Sequence, residues 1–546
     1  MGDAKITIDK RIIDAQTGTT VMECLVEAGL FLRSDCGGRG RCGKCLVRVA
    51  GPDSQGLSEP DETEEKILGA KDKASPYRLA CRTRVLGAVS LSIPDESRLQ
   101  REAAQKGAPV LLSRFESYGR ASSRRPAGAR GVAVDIGTTT IAVYLCDLAR
   151  STVVASTSVR NPQSIFGDDV ISRLGAVRED ASALLRLQRM AVSAVDWAVS
   201  TLCSQSGVDL ESITDAVCVG NSVMLHLFLG EDPSSIGFYP YTPRFVKAMD
   251  LSADTVGMRS CSRARLRTLP LISGYLGADI VAAALATDLA HAAPGTMLVD
   301  AGTNGEIIFM TEEGLAATSC ATGPAFEGAT IRHGMQAAPG AIDAVRFSPE
   351  TGRLACRVIQ SGQGKPRPAA GICGSGVISA VAELLRAGVI LGTGNFDIAC
   401  GFSSLRRGEN GIQEFVIAPA EPDGSGHDIV LTQGDVRAVQ LAKGALRTGI
   451  EILCRSGRME RPCKVFLAGA FGNFIDREDA LRIGMFPQMD VNDIEVVGNA
   501  AGAGAVLALL HEELFERAAQ MAQSTRVLDL ASHKDFLKTF VDALSF

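Results

Sequence analysis

The sequence predicts two unlike parts in one chain: a small α+β module, then a larger α/β region that is internally duplicated. Three observations carry this expectation. A glycine-rich loop with three cysteines interrupts short alternating strand patterns near the N-terminus. Two apolar strands far apart in the chain end in the same Asp-x-Gly-Thr turn. The 546 residues also exceed what one core usually organises, at roughly 150 residues per domain.

Composition narrows the function classes. With 46% hydrophobic and 22% charged residues the chain matches globular proteins rather than disordered, collagenous or coiled-coil ones. The 56 basic and 62 acidic side chains give a net charge of −6, which argues against general affinity for nucleic acid or an anionic membrane. One Trp and six Tyr supply few platforms for stacking bases. No stretch approaches the roughly 20 apolar residues of a membrane span. Met1 to Lys10 lack a basic segment followed by an apolar one, so the cytoplasm is the expected location. Fifteen cysteines, an odd number, are too sparse for a disulfide scaffold and raise the question of what they bind.

In chain order, Lys5-Ile6-Thr7-Ile8 alternates as a strand, and a helical pattern runs from Thr20 towards Gly29. Val85, Val89, Leu91 and Ile93 have strand spacing before Pro94 ends it, so residues 1–95 form one domain. Residues 96–130 mix Ala, Gly, Ser and Pro with Arg98, Arg101, Arg114, Arg120, Arg124, Arg125 and Arg130, and read as a flexible basic linker. An acidic-partner or nucleic-acid patch is the alternative. From Gly131 to Phe546, apolar strand runs alternate with Ala/Leu-rich helical segments, the α/β pattern. Val132–Thr140 and Met297–Gly305 read as two copies of one strand-turn-strand device, which predicts duplicated halves with a cleft between them. Near the end, Phe536, Leu537, Phe540, Val541 and Leu544 fall on one helical face expected to dock on the core.

Cys36, Cys42 and Cys45 stand as C-x5-C-x2-C, and Cys81 arrives later in Arg78–Arg82. Four glycines among Asp35–Cys45 let the backbone wrap closely and turn its amides towards cluster sulfurs. Three thiolates on a tight loop and one from a distant strand suit a [2Fe–2S] centre, one residue longer in the first gap than the plant-type spacing. Zinc is the rival, but a zinc ribbon wants two close C-x2-C pairs and only one is present. Gly38, Gly40 and Gly43 also satisfy G-x-G-x-x-G, and Gly38 to Lys44 resembles a P-loop. Cys45 stands where Ser or Thr is required, so neither match holds. The remaining cysteines lack tight spacing and read as core residues.

Phosphate must be met by backbone N–H groups, which glycine allows to approach closely. Gly137 in one turn, and Gly302 with Gly305 in the other, offer that approach. Thr138, Thr139, Thr140, Thr303 and Asn304 add side-chain donors. Asp135 and Asp300, each at the end of an apolar strand, are placed to hold Mg²⁺ through water or to orient an attacking water. A third element, Val465–Phe474, runs from an apolar strand into Gly469, Gly472 and Asn473, where an adenine ring has bare backbone to lie against. Each alone is also an ordinary turn; two in register point to nucleotide.

In this order the three elements resemble the phosphate-1, phosphate-2 and adenosine motifs of the acetate and sugar kinase/Hsc70/actin superfamily, from about Gly131 onward. An iron–sulfur module fused ahead of such an ATPase resembles the reductive activators of corrinoid enzymes. Cys320–Gly328, Gly371–Gly376 and Gly274–Asp279 read like that family too. The resemblance implies an α+β ferredoxin-like [2Fe–2S] domain followed by an α/β duplicated actin-like/Hsc70-like ATPase fold, with ATPase subdomains at 131–290 and 291–546. It implies ATP-dependent reduction of the corrinoid protein of a methyltransferase system from Co(II) to Co(I), an upstream low-potential electron donor and a homodimer. Glu327 and Asp279 would face the nucleotide, or serve as a helix cap or ion-pair partner. Some members carry a further small domain before the ATPase, for which only about 35 residues separate Pro94 from Gly131 here.

Two other classes remain: a redox-sensing nucleotide-binding regulator, and a small-molecule kinase of the sugar-kinase type, in which the cluster has no evident purpose. Dehydratase activators are a weaker match, because they hold a [4Fe–4S] centre between subunits. The six histidines show no H-E-x-x-H spacing and read as surface or satisfied groups, and no Gly-x-Ser-x-Gly elbow is present.

Overall fold

The computed structural model describes residues 3–8, 11–32, 34, 38, 40, 43–50, 54–69, 76–94, 97, 126, 128–167, 169–302, 304–328, 330–360, 368–408, 411–420, 427–469 and 475–546. Cys36, Cys42, Thr303, Gly472, Asn473 and most of the linker lie outside them.

The N-terminal module contains β1 (Asp3–Ile8), β2 (Arg11–Gln16), α1 (Val21–Glu27), β3 (Leu46–Val49), α2 (Glu62–Leu68), β4 (Tyr77–Leu79) and β5 (Val89–Ser92). The strands form one sheet in the order β2-β1-β5-β3-β4, with β1 and β5 parallel. Alternation puts Ile6, Ile8 and Val47 inward, where they meet Leu25, Leu79 and Val85. Thr20 and Glu23 cap each other's backbone at the start of α1, a capping box. Below the sheet Glu64 is buried, and it accepts from Arg78 Nε and Nη2 at 3.0 Å, Leu79 N at 2.6 Å and Thr83 Oγ1 at 3.2 Å. One carboxylate thus ties α2 to the strand that leads into Cys81.

The second sheet uses β6 (Arg130–Ile136), β7 (Thr140–Asp147), β8 (Thr152–Arg160), β9 (Ile213–Gly220), β10 (Asp250–Ser252) and β11 (Arg265–Thr268), in the order β10-β11-β9-β6-β7-β8. Helices α3 (Val170–Glu179) and α4 (Ser182–Ser206) follow β8, α5 (Ser222–Leu229) follows β9, and α6 (Ala278–Ala286) follows β11. Arg130, counted with the linker arginines, belongs instead to β6 and pairs with Asp147 at 3.0 Å.

A third sheet is built from β12 (Thr296–Ala301), β13 (Gly305–Thr311) and β14 (Gly314–Cys320). Between β14 and its later strands lie β15 (Ala341–Ser348), β16 (Arg353–Val358), β17 (Gly371–Ile372), α7 (Gly374–Arg386), β18 (Leu405–Arg407), β19 (Gln413–Ala418), β20 (Ile429–Thr432) and α8 (Gln433–Ser456). The chain then adds β21 (Lys464–Ala468), α9 (Arg477–Arg482), β22 (Ile494–Gly498), α10 (Ala500–Leu510), α11 (Glu512–Ser524), β23 (Arg526–Val527) and α12 (Phe536–Leu544). The third sheet's order is β22-β21-β12-β13-β14-β23. In both large sheets an antiparallel trio, β6-β7-β8 or β12-β13-β14, is extended beyond its first strand by two parallel strands. The duplication read from two turns therefore extends to five strands of each sheet.

The chain divides into two compact units. One holds the N-terminal module, the second sheet through Asp279, and Ala505–Phe515; the other holds Ile280–Gly504 and Glu516–Phe546. Within the first unit the N-terminal module packs on α4. Met190 joins its apolar core, Phe31 meets Trp197 edge-on at 5.8 Å, and Arg186 reaches Glu23 at 3.4 Å. Within the second, α12 docks on α8 as expected, with a correction. Phe536 and Phe540 pack on the core and Leu544 lies over Gly444, whereas Leu537 and Val541 are 71% and 56% exposed. Among the described residues no helix is long and apolar enough to cross a membrane.

Glu64→Ala leaves the Arg78 guanidinium buried without its partner, so the N-terminal module should lose about 3–5 kcal/mol of stability. Thermal unfolding followed at the module's visible absorbance checks this; an unchanged midpoint contradicts it.

Candidate functional site

The cysteine loop leaves α1 and returns at β3. Cys45 and Cys81 are both buried, with sulfurs 3.3 Å apart. That is far beyond the ~2.05 Å of a disulfide and close to the separation of two thiolates on one tetrahedral metal, about 3.8 Å for bonds of ~2.3 Å. Gly38, Gly40 and Gly43 all have left-handed backbone, with φ of +82°, +68° and +64°. There a side chain is strained, and a Cβ on Gly40 would come within 2.9 Å of Arg82. The two buried sulfurs side by side fit the iron–sulfur group inferred from the spacing. The other two sequence-predicted ligands, Cys36 and Cys42, lie outside the described residues.

Most cysteines elsewhere are core residues, but Cys463, read as one of them, is exposed, and Cys356 and Cys400 are half-buried. Burial pushes the Cys24 and Cys356 thiols up to about 11 and those of Cys146, Cys261 and Cys454 up to about 12, so each stays neutral. His226 is likewise satisfied, its Nδ1 lying 2.6 Å from Ser222 O and its Nε2 accepting from Arg244 N.

The first Asp-x-Gly-Thr turn joins β6 to β7. Asp135 is buried at the end of β6, and Gly137 N donates to Thr140 O. A Cβ on Gly137 would sit 2.6 Å from that same oxygen, so only glycine fits. Three successive carbonyls of the turn are tied down from one side. Asn161 Nδ2 donates to Gly137 O at 2.9 Å, Arg173 Nη2 to Thr138 O at 2.6 Å and Asn161 N to Thr139 O at 2.8 Å. In a planar trans peptide the N–H points opposite the C=O. Holding the Gly137 and Thr138 carbonyls therefore aims the Thr138 and Thr139 amides the other way, as an anion-binding turn requires. Asn221, the N-cap of α5, donates to Thr138 Oγ1 at 3.0 Å. Gly277 packs against the Asn221 backbone and the Asp279 carboxylate, which brings Asp279 to this site.

The second turn joins β12 to β13. Gly302 O accepts from Thr322 Oγ1 at 2.9 Å and Gly302 N donates to Asn304 O at 3.3 Å. Gly305 is crowded by Leu446 and Thr322. Gly469, at the end of β21 with φ +98°, lies against Asp300: a Cβ there would come within 2.6 Å of Asp300 Oδ1. This joins the third sequence element to the second turn. Glu327 ends a single turn, Pro324–Glu327, that packs on α7 and α8.

Within the second unit, a cavity of about 380 Å³ opens beside the start of α9, lined by Asp343, Arg346, Arg357, Ser375, Ser379 and Asp479, among others. The sequence reading did not find it. Burial pushes Asp479 up to about 6.

Sequence reasoning also missed Asn161, Arg173 and Asn221. Asn161-Pro162 and the Asn221 before an apolar run are both turn or cap signals. Arg173, fully buried, carries no local signal.

Comparison with known proteins covers both parts. Residues 6–86 match a family model of the 2Fe-2S iron-sulfur cluster binding domain, 130–292 the RACo middle region, and 295–546 the C-terminal domain of RACo, the ASKHA domain. The corrinoid activation enzyme RamQ of Eubacterium limosum is 30% identical over 97% of this chain and 96% of its own length. A reductase of the Co(II) methylated amine-specific corrinoid protein from Methanosarcina barkeri is 25% identical over 76% of this chain and 77% of its own. Among solved structures, a reductive activator for a corrinoid, iron-sulfur protein superposes with a TM-score of 0.68 at 30% identity, covering 100% of this chain and 98% of that one.

Asp479 gives a pH prediction. Unfolded, it ionises near its ordinary 3.8; folded, near 6. Between these values the folded chain holds the extra proton, so the contribution is full below pH 3.8 and is lost as pH rises through 6. Asp479→Asn should therefore melt higher than the parent at pH 7 and equally at pH 3.5, as calorimetry at the two pH values will show.

Proposed function

The chain belongs to the RACo family of reductive activators of corrinoid proteins, and on that footing we propose how its residues divide the work. The protein carries out ATP-dependent reductive activation of a corrinoid protein, returning cobalt from Co(II) to Co(I) with one electron. A [2Fe–2S] group held by Cys36, Cys42, Cys45 and Cys81 supplies one-electron storage at low potential. Cys45 and Cys81 are buried, which keeps those two sulfurs from water. An upstream low-potential donor recharges the site after each transfer.

The remaining residues handle nucleotide. Amides and hydroxyls of 137–140 and of 302–305 donate to phosphate oxygens, and Asp135 and Asp300 hold Mg²⁺ through water or orient the attacking water. Gly469, Gly472 and Asn473 leave bare backbone for adenine. Glu327 faces the phosphates. The corrinoid protein is the partner, the working form is a homodimer through the ATPase region, and the cytoplasm is its place.

The observation that supports this most is the pairing, in one compact unit, of the two buried thiols with a turn whose carbonyls are tied from behind. It gives a small-molecule kinase one feature too many, and formation of Co(I) separates an activator from a redox sensor.

Mixing reduced protein, ATP and a Co(II) corrinoid protein tests the reading, with Co(I) followed by its absorbance. Co(I) should form only with ATP. Cys81→Ala should abolish it while the chain still binds nucleotide. Asp300→Ala should keep the brown colour and slow hydrolysis by roughly 100-fold or more. Co(I) formation without nucleotide, or hydrolysis untouched by Asp300→Ala, contradicts the assignment.

A further inference from the structure

The first phosphate turn and the cysteine loop are held by one short segment, residues 161–167. At one end, Asn161 binds the carbonyls of Gly137 and Thr139. In its middle, Ile165 lies against Gly38 of the cysteine loop: a Cβ on Gly38 would be 3.0 Å from Ile165 Cγ2 and 3.4 Å from its Cα. At the other end, Gly167 O accepts from Arg173 Nε at 3.1 Å. Arg173 closes the frame. Fully buried, it donates at the same time to Thr138 O and to Gln163 Oε1, the latter at 3.1 Å. Gln163 is fully buried as well, and fastens the segment to α4 through Leu187 O at 2.9 Å.

The Gly38–Ile165 contact is close enough that an added methyl would have to push Ile165 aside, and packed groups pass displacement on to their neighbours. Phosphate drawing on the Thr138 and Thr139 amides tilts whole peptide planes, and so moves the carbonyls held by Asn161 and Arg173. Phe166 continues the contact: it packs on the N-terminal core and lies under Arg186, which reaches Glu23 of α1. A cavity of about 230 Å³ beside this contact has Cys81, Gly38, Ile165 and Phe166 in its wall.

We propose that residues 161–167 are the link by which nucleotide on the 137–140 turn alters the surroundings of the cluster at Gly38, with Asn161 and Arg173 as positioning residues. The link rests on the reading of that turn as a phosphate site.

The test uses the full-length, cluster-loaded protein titrated with Mg²⁺ and a non-hydrolysable ATP analogue. Visible circular dichroism and the electron paramagnetic resonance of the reduced cluster are followed, and nucleotide affinity is measured separately by calorimetry. The parent's cluster signals should change with the midpoint of the calorimetric binding curve. Ile165→Ala should bind the analogue within about twofold of the parent and lose most of the spectral change, while Ile165→Val keeps it. Arg173→Gln should weaken analogue binding about tenfold, the loss of a charged hydrogen bond; Arg173→Lys should recover part of the affinity. Binding without any spectral response in the parent, or a full response in Ile165→Ala, overturns the link alone. No binding of the analogue by the parent overturns the phosphate reading on which it rests.

Discussion

A buried arginine and an asparagine hold three consecutive carbonyls of one turn, and the arrangement of the first compact unit follows from that constraint. Carbonyl oxygens in such a turn would otherwise face whatever approaches it and repel phosphate. With Asn161 and Arg173 behind them, the Thr138 and Thr139 amides are aimed forward before any ligand arrives, and a tilt of those peptide planes on binding falls directly on Asn161 and Arg173. A guanidinium taken out of water is costly unless its donors are used. Arg173 uses its own on Thr138 O, Gly167 O and Gln163 Oε1, and in doing so fixes the segment that carries Ile165.

The duplicated turn in the second unit solves the same steric problem with different parts. There the carbonyl of Gly302 is held by the Thr322 hydroxyl, and the crowding that demands glycine comes from Leu446 and Thr322 against Gly305. The two copies share strand order and the Asp-x-Gly pattern but not their supports, so they need not respond alike when phosphate is bound or lost.

Much of this was legible in the sequence, and the boundary is physical. Strand alternation, the Asp-x-Gly-Thr turns and the cysteine spacing depend on neighbours a few residues away; the sheets agree with the strand readings, and Cys45 and Cys81 lie side by side. Arg173 was not legible: an arginine on a helix ordinarily faces water, and only the fold brings Thr138 O to it. Glu64 and Arg78 were hidden in the same way. Leu537 and Val541 failed in the opposite direction, since a helical face wide enough for five apolar residues meets α8 through only part of its width. Asn161 and Asn221 carried cap and turn signals, but nothing local says that their side chains also reach a distant turn.

If cluster and nucleotide sense each other through one frame, thermodynamics requires the influence to run both ways. Nucleotide that shifts the cluster's midpoint potential must bind the oxidised and reduced chains with unequal affinity, about 59 mV for each tenfold ratio in a one-electron couple. The most direct measurement is therefore a pair: the midpoint potential with and without a non-hydrolysable ATP analogue, and the analogue's dissociation constant in each redox state. The account predicts a shift in potential that matches the affinity ratio. Equal affinities in the two states, with an unmoved potential, would contradict it.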